Sequence, residues 1–199
     1  RNYSKAMKLY KLSADQNYTL AQYSLGIMYE YGQAVSRNFE KALEYYSVAA
    51  EKGFAAAQNE VGLMYLLGVG TTQNFEKSAH WFNSAAVQGH AMAQSNLGYM
   101  YYFGYGVQQS HKQASRWYGA SAEGGNAIAQ YHLASMYNTG KGLVLNRTYA
   151  HMWANLAALN GNSNGRILRD YIAKRLVRTE LKNARELALA CFKKNYKQC

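Results

Sequence analysis

The sequence predicts an all-α protein: a right-handed α-solenoid of 36-residue helical hairpins, closed by a two-helix C-terminal cap. Three observations predict it. A nine-residue segment recurs four times at a spacing of 36 residues. It begins Ala21-Gln22-Tyr23-Ser24-Leu25-Gly26 and returns at Ala57-Gln58, Ala93-Gln94 and Ala129-Gln130. A fixed period of this size means stacked units, each too small to bury its own apolar face. Within each copy, counted from the opening alanine as zero, apolar residues fall at 0, 4, 7 and 8, which is one face of an α-helix. The composition agrees, with 49% hydrophobic residues and no proline in 199 residues.

The elements follow in chain order. An orphan second helix occupies residues 3–16, and the first recurring segment opens helix A of the first hairpin. Gly26, Gly62 and Gly98 stand inside helix A, with Ala134 in the last copy. Mid-helix glycine costs about 1 kcal/mol against alanine, so its recurrence predicts a close helix–helix approach. The in-phase alanines Ala14, Ala50, Ala86, Ala122 and Ala158 are the expected partners. Helix A ends at glycine-rich loops such as Gly68-Val69-Gly70 and Gly104-Tyr105-Gly106, where left-handed backbone stops a helix. The first loop departs, with Gly32-Gln33-Ala34. Asn38, Asn74, Ser110 and Asn146 then stand at N-cap positions. Helix B follows over 39–52, 75–88, 111–124 and 147–160. The array is therefore expected over 1–161, with an orphan helix in 1–17 and repeats at 18–53, 54–89, 90–125 and 126–161. Residues 162–199 form the basic cap, with helices at 164–177 and 179–195, the second capped by Thr179.

This pattern resembles the Sel1-like repeat family, a relative of the tetratricopeptide repeat. The resemblance runs from about Ala6 to Gly161. It rests on Ala-x-x-x-Leu-Gly-x-Met-Tyr, on the loop Gly104-Tyr105-Gly106-Val107, on Lys41 to Tyr46, and on the exit Ala49-Ala50-Glu51-Lys52-Gly53. Met152-Trp153-Ala154-Asn155-Leu156-Ala157-Ala158, followed by a Cys-containing last helix, resembles the ending of small secreted bacterial members. The resemblance implies a non-catalytic scaffold for protein partners, in envelope assembly, signalling regulation or host contact. The chain opens at Arg1 in mid-repeat, so upstream residues are expected: further repeats, a secretion signal or both.

The only cysteines are Cys191 and Cys199. Two free thiols in a cytosolic protein are one reading. The preferred one is a disulfide folding the tail onto the last helix, which points to a periplasmic or secreted location. No uninterrupted apolar run reaches the roughly 18–20 residues of a membrane span.

Catalytic chemistry is not expected. Asp15 and Asp170 are the only aspartates and lie far apart, the glutamates are scattered, and the five histidines include no metal-binding pair. No metal and no cofactor are expected. His132, on the variable face of helix A, is expected to be solvated. Binding is the better proposition, because helix A of stacked hairpins lines the concave side. Tyr23, Asn59, Tyr99, Tyr102 and Tyr131 at its variable positions are the candidate partner-binding residues, aromatic with polar tips. Charge is the second handle. Residues 164–199 carry ten Lys or Arg against three Asp or Glu, most of the net +11. Arg166, Arg169, Lys174, Arg175, Arg178 and Lys182 form the basic face, either a solvated end or a contact for anionic lipid or envelope polymer. Nucleic acid is not an expected partner, since no recognised motif accompanies these residues.

Overall fold

The computed structural model describes residues 2–199. Eleven α-helices, and no strand, are present among the described residues. The chain is an α-solenoid of helical hairpins that divides into two compact units, Arg1–His90 and Ala91–Cys199.

The first unit holds α1 (Tyr3–Asp15), α2 (Thr19–Tyr31), α3 (Phe39–Glu51), α4 (Ala55–Leu67) and α5 (Phe75–Ala86). Consecutive helices pack on each other throughout. The apolar stripe of helix A does what its period dictates. Leu25, Val61, Met28 and Met64 are buried with Ala42, Tyr46 and Ala49 in one core. The second unit holds α6 (Ala91–Phe103), α7 (His111–Glu123), α8 (Ala127–Thr139), α9 (Arg147–Leu159), α10 (Ser163–Ala173) and α11 (Arg178–Lys193). Its own core gathers Leu133, Met136, Tyr118, Met152, Trp153 and Leu156.

Capping explains why each helix B starts where it does. The side chains of Asn38, Asn74 and Asn146 accept from the backbone N–H three residues on, at 2.8, 2.8 and 3.0 Å, and Ser110 does so at 3.2 Å. Each of the four also donates its own N–H to the carbonyl of the helix A tyrosine, Tyr29, Tyr65, Tyr101 or Tyr137, at 2.9 Å. One residue thus satisfies an orphan donor and fixes the loop between the two helices. The start of α11 differs from expectation. Val177, not Thr179, is the cap, and the Glu180 carboxylate accepts from the Val177 N–H at 3.0 Å. That half of a capping box uses only backbone at the cap, so an apolar residue can hold the position.

The recurring glycines answer to a different partner from the one expected. A Cβ at Gly62 would lie 2.7 Å from the Phe82 ring, and one at Gly98 would lie 2.9 Å from Tyr118; Gly26 faces Tyr46 in the same way. The close approach is to the helix B aromatic rather than to the in-phase alanines. The last hairpin corroborates this internally. Where Tyr46, Phe82 and Tyr118 recur, the fourth copy has Ala154, and that same copy has replaced the glycine with Ala134. Both of these alanines are fully buried.

A second recurring feature is the glutamine after each opening alanine. Gln58 Nε2 donates to the Ala50 carbonyl at 3.1 Å, and Gln130 Nε2 to that of Ala122 at 3.2 Å. Their Oε1 atoms accept from Gln88 at 2.8 Å and Asn160 at 3.0 Å, while Gln22 accepts from Lys52 at 2.9 Å. At Gln58 and Gln130 a buried amide therefore ties the preceding helix B to the residue just past the end of the following one. Such a group has to be satisfied to be tolerated.

In the second unit, α9 is buried on more than one side, at Ala150, His151, Met152, Trp153, Ala154, Leu156 and Ala157, because both α10 and α11 pack on it. Cys191 and Cys199 form a disulfide with Cα atoms 5.3 Å apart. Inside that loop the Tyr196 hydroxyl donates to Asn160 Oδ1 at 2.9 Å.

Candidate functional site

In the first unit, the helix A face carries Tyr23 on α2 with Glu30 and, on α4, Glu60. Tyr23 is half-buried, its ring 5.4 Å from Tyr46 and 5.0 Å from Phe54. The Tyr46 hydroxyl donates to Glu30 Oε2 at 2.6 Å. Burial raises the Glu60 carboxyl above the usual carboxylate range; the nearby Glu30 adds to this, against a hydrogen bond from Asn59 that lowers it. Burial first, then Glu60 and Glu30, also raises the Tyr23 phenol. This face is aromatic and acidic. Asn59 does not belong to its accessible part. It is 0% exposed, because its position on α4 points into packing rather than outward. Contrary to expectation, it is therefore not an accessible partner contact.

In the second unit, α6 presents Tyr99 and Tyr102, both half-buried, around the exposed ring of Phe103. Tyr99 lies 4.7 Å from Phe103 and Tyr102 4.9 Å. Tyr102 also lies 4.8 Å from the His111 ring and has the Lys141 ammonium 5.7 Å from its centroid. Tyr131 on α8 opens into a cleft of about 370 Å3 against α10, with Asn138, Asn164, Ile167, Leu168 and Tyr171. Ile167 and Tyr171 are exposed there. An apolar wall with amide and phenol groups along it can hold an extended chain by its side chains and backbone together. His132 is not solvated as expected. Its ring stacks on Tyr118 at 4.9 Å, and burial lowers its pKa.

The basic residues of α10 and α11 are less uniform than the sequence implies. Arg166, Lys174 and Arg178 are exposed. Arg169 is committed to Asp170 at 2.8 Å, and the Arg175 guanidinium lies 3.5 Å above the Tyr171 ring. Lys182 lies 3.8 Å from Glu186, a separation at which an exposed pair contributes little. No group of three or more His, Cys, Asp or Glu that could hold a metal occurs among the described residues. No helix among them is long and apolar enough to cross a membrane.

Sequence reasoning missed the glutamine ties and the Glu30–Tyr46 bond. A signal for the glutamine existed, since an amide beside the core alanine in all four copies needs buried partners. Nothing in the sequence singled out Glu30, whose equivalents are Leu66, Tyr102 and Asn138.

The family model of the Sel1 repeat matches residues 1–18, 19–54, 55–90, 91–126 and 127–162. Comparison with curated proteins gives no match. Among solved structures, the Sel1 repeat protein from Oxalobacter formigenes is similar with a TM-score of 0.79 and 28% identity, over 97% of this chain and 76% of that one. The c5321 protein, a protective antigen present in uropathogenic Escherichia coli strains and displaying an SLR fold, gives a TM-score of 0.64 and 26% identity. That match covers 96% of this chain but only 50% of c5321. The immunity protein Pa5087 from Pseudomonas aeruginosa shares the fold at a TM-score of 0.55 and 17% identity, over 99% of this chain and 76% of its own. With five repeat matches covering most of its length, the chain belongs to the Sel1 repeat family, whose members are generally scaffolds for protein–protein interaction.

Proposed function

We propose that this protein is a non-catalytic scaffold that holds a segment of a protein partner against its helix A residues, in the bacterial envelope or outside the cell. One observation carries the reading. Tyr99, Tyr102 and Tyr131 keep half-exposed phenols on α6 and α8, and the Tyr131 cleft continues onto α10. Tyrosine offers large contact area at small entropy cost, which is why it concentrates where proteins bind. Tyr23 supplies a similar contact in the first unit, beside Glu30 and Glu60. The Cys191–Cys199 disulfide and the similarity to c5321, a protective antigen, support an oxidising and host-facing location.

A second reading rests on the charge of the cap. The exposed Arg166, Lys174, Arg175, Arg178 and Lys182 would contact an anionic lipid or envelope polymer. The two are separated by comparing the Tyr99→Ala/Tyr102→Ala/Tyr131→Ala variant with one neutralised at those five basic positions, in affinity capture at rising salt. A partner lost from the tyrosine variant and retained at about 0.5 M salt, where exposed charges are screened, supports the scaffold. Binding lost only with the basic residues, and falling steeply with salt, supports the surface contact instead.

A further inference from the structure

Where α9, α10 and α11 meet in the second unit, a cleft of about 260 Å3 is lined by His151, Asn155, Arg169, Asp170, Ala173 and Arg185. It is separate from the helix A residues. His151 is 2% exposed, and its Nδ1 has no hydrogen-bond partner. A buried polar atom left unpaired is costly and calls for a reason. The fold does not require one here. The equivalent helix B position is Met7, Leu43, Ala79 and Ser115 in the other copies, so a small or apolar residue serves.

The charges around the ring are unbalanced. Arg169 is held by Asp170, with Nε and Nη2 both 2.8 Å from Oδ1. Its Nη1 lies 3.5 Å from Asn155 Oδ1. Arg185 is exposed and makes no ion pair among the described residues. Two guanidiniums against one carboxylate leave a single positive charge. Burial first, then Arg185 and Arg169, pushes the His151 pKa down to about 4, against an opposing pull from Asp170. At neutral pH the ring is therefore uncharged, and in its Nδ1–H form it donates one hydrogen bond.

We propose that this cleft binds the side-chain carboxylate of an Asp or Glu in an acidic protein segment, with Arg185 supplying the charge and His151 Nδ1 a buried hydrogen bond. A monoanion matches the single unbalanced charge, whereas a phosphate dianion would bring a second negative charge towards Asp170. The exposed Arg166, Lys174, Arg178 and Lys182 on the same two helices favour further acids flanking the bound one. That the ligand is a protein rests on the scaffold reading above. The cleft adds a contact of its own chemistry, outside the tyrosines.

The test follows the His151 ring resonance of the full chain by NMR during titration with acetyl-Gly-Glu-Glu-Glu-Gly-amide, its Gln counterpart and inorganic phosphate. The Glu peptide should move the His151 signal and the Gln peptide should not. Arg185→Gln, at an exposed position, should weaken the apparent affinity by about tenfold, and Arg185→Glu should abolish it. Tyr99→Ala/Tyr102→Ala/Tyr131→Ala should leave it within about twofold, so failure of the helix A reading and failure of this one are distinguishable. No movement with the Glu peptide, an equal response to phosphate or to the Gln peptide, or unchanged affinity in Arg185→Gln would each overturn the proposal.

Discussion

Tyr46 and Tyr118 hold the same place in the first and third hairpins and differ in what their hydroxyls find. Tyr46 donates to Glu30, while the Tyr118 hydroxyl is buried without a partner, and Phe82 between them has no hydroxyl at all. Burial pushes both phenols well above their ordinary pKa, in Tyr46 with the added effect of Glu30. Tyr46→Phe should therefore lower the unfolding free energy by about 1–2 kcal/mol, and Tyr118→Phe should leave it within about 0.5 kcal/mol or raise it. Urea unfolding of the two variants checks the contrast, and equal losses would show that the Glu30 bond is not the cause. Gly62 makes a second residue-scale test. Gly62→Leu should cost more than about 1 kcal/mol by forcing the Phe82 ring aside. Adding Phe82→Ala should recover part of that loss, giving a coupling that a double-mutant cycle measures. The glycine was legible in the sequence and its partner was not. Every residue of helix B shares the 36-residue period, so periodicity cannot choose between the alanine and the aromatic. Only the paired change to Ala134 and Ala154 held that information.

At the scale of the element, helix boundaries follow from capping chemistry and were legible to the same degree. Helix B announces itself because Asn38, Asn74, Ser110 and Asn146 cap with their own side chains. Helices α2 and α4 begin after Tyr18 and Phe54, which make no side-chain cap bond, so nothing at those positions marks a start. The start of α11 is two residues earlier than the Thr179 cap predicts for the same reason: the bond there runs from the Val177 N–H to the Glu180 carboxylate. The loops after helix A show the opposite case, in which composition states the conformation. A side chain at Gly70 would meet the backbone carbonyl of Phe39, and one at Gly142 that of His111. The first loop has Ala34 at the corresponding position, with φ +64°. An L-residue in that region costs roughly 1 kcal/mol, so Ala34→Gly should raise stability by up to about that amount. Thermal unfolding should show a higher midpoint; a lower one would mean that the alanine methyl makes a contact that outweighs the strain.

For the whole molecule, the buried histidines set how stability depends on acidity. His151 falls from the ordinary 6.5 to about 4 in the folded chain, and burial lowers His132 and His90 in the same direction. Between these limits the unfolded chain binds protons that the folded chain excludes. Stability is therefore present in full above about pH 6.5 and declines as pH falls towards about 4. Glu60, raised by burial, acts in the opposite sense. His151→Leu should flatten the decline between pH 6.5 and 4.5 relative to the unaltered chain, and an unchanged slope in urea unfolding would remove His151 as its source. The cap also governs how this molecule can have changed in length. A new hairpin needs an uncovered helix B to lie on, and α9 has none to offer, since α10 and α11 already occupy its flanks. A hairpin inserted after α9 must take the place of α10 and α11 there, and that pair must then cover the inserted second helix instead. Any change in the number of copies therefore has to keep α10 and α11 joined to the helix that ends the array, so the closing pair travels with the last hairpin instead of staying at a fixed repeat number.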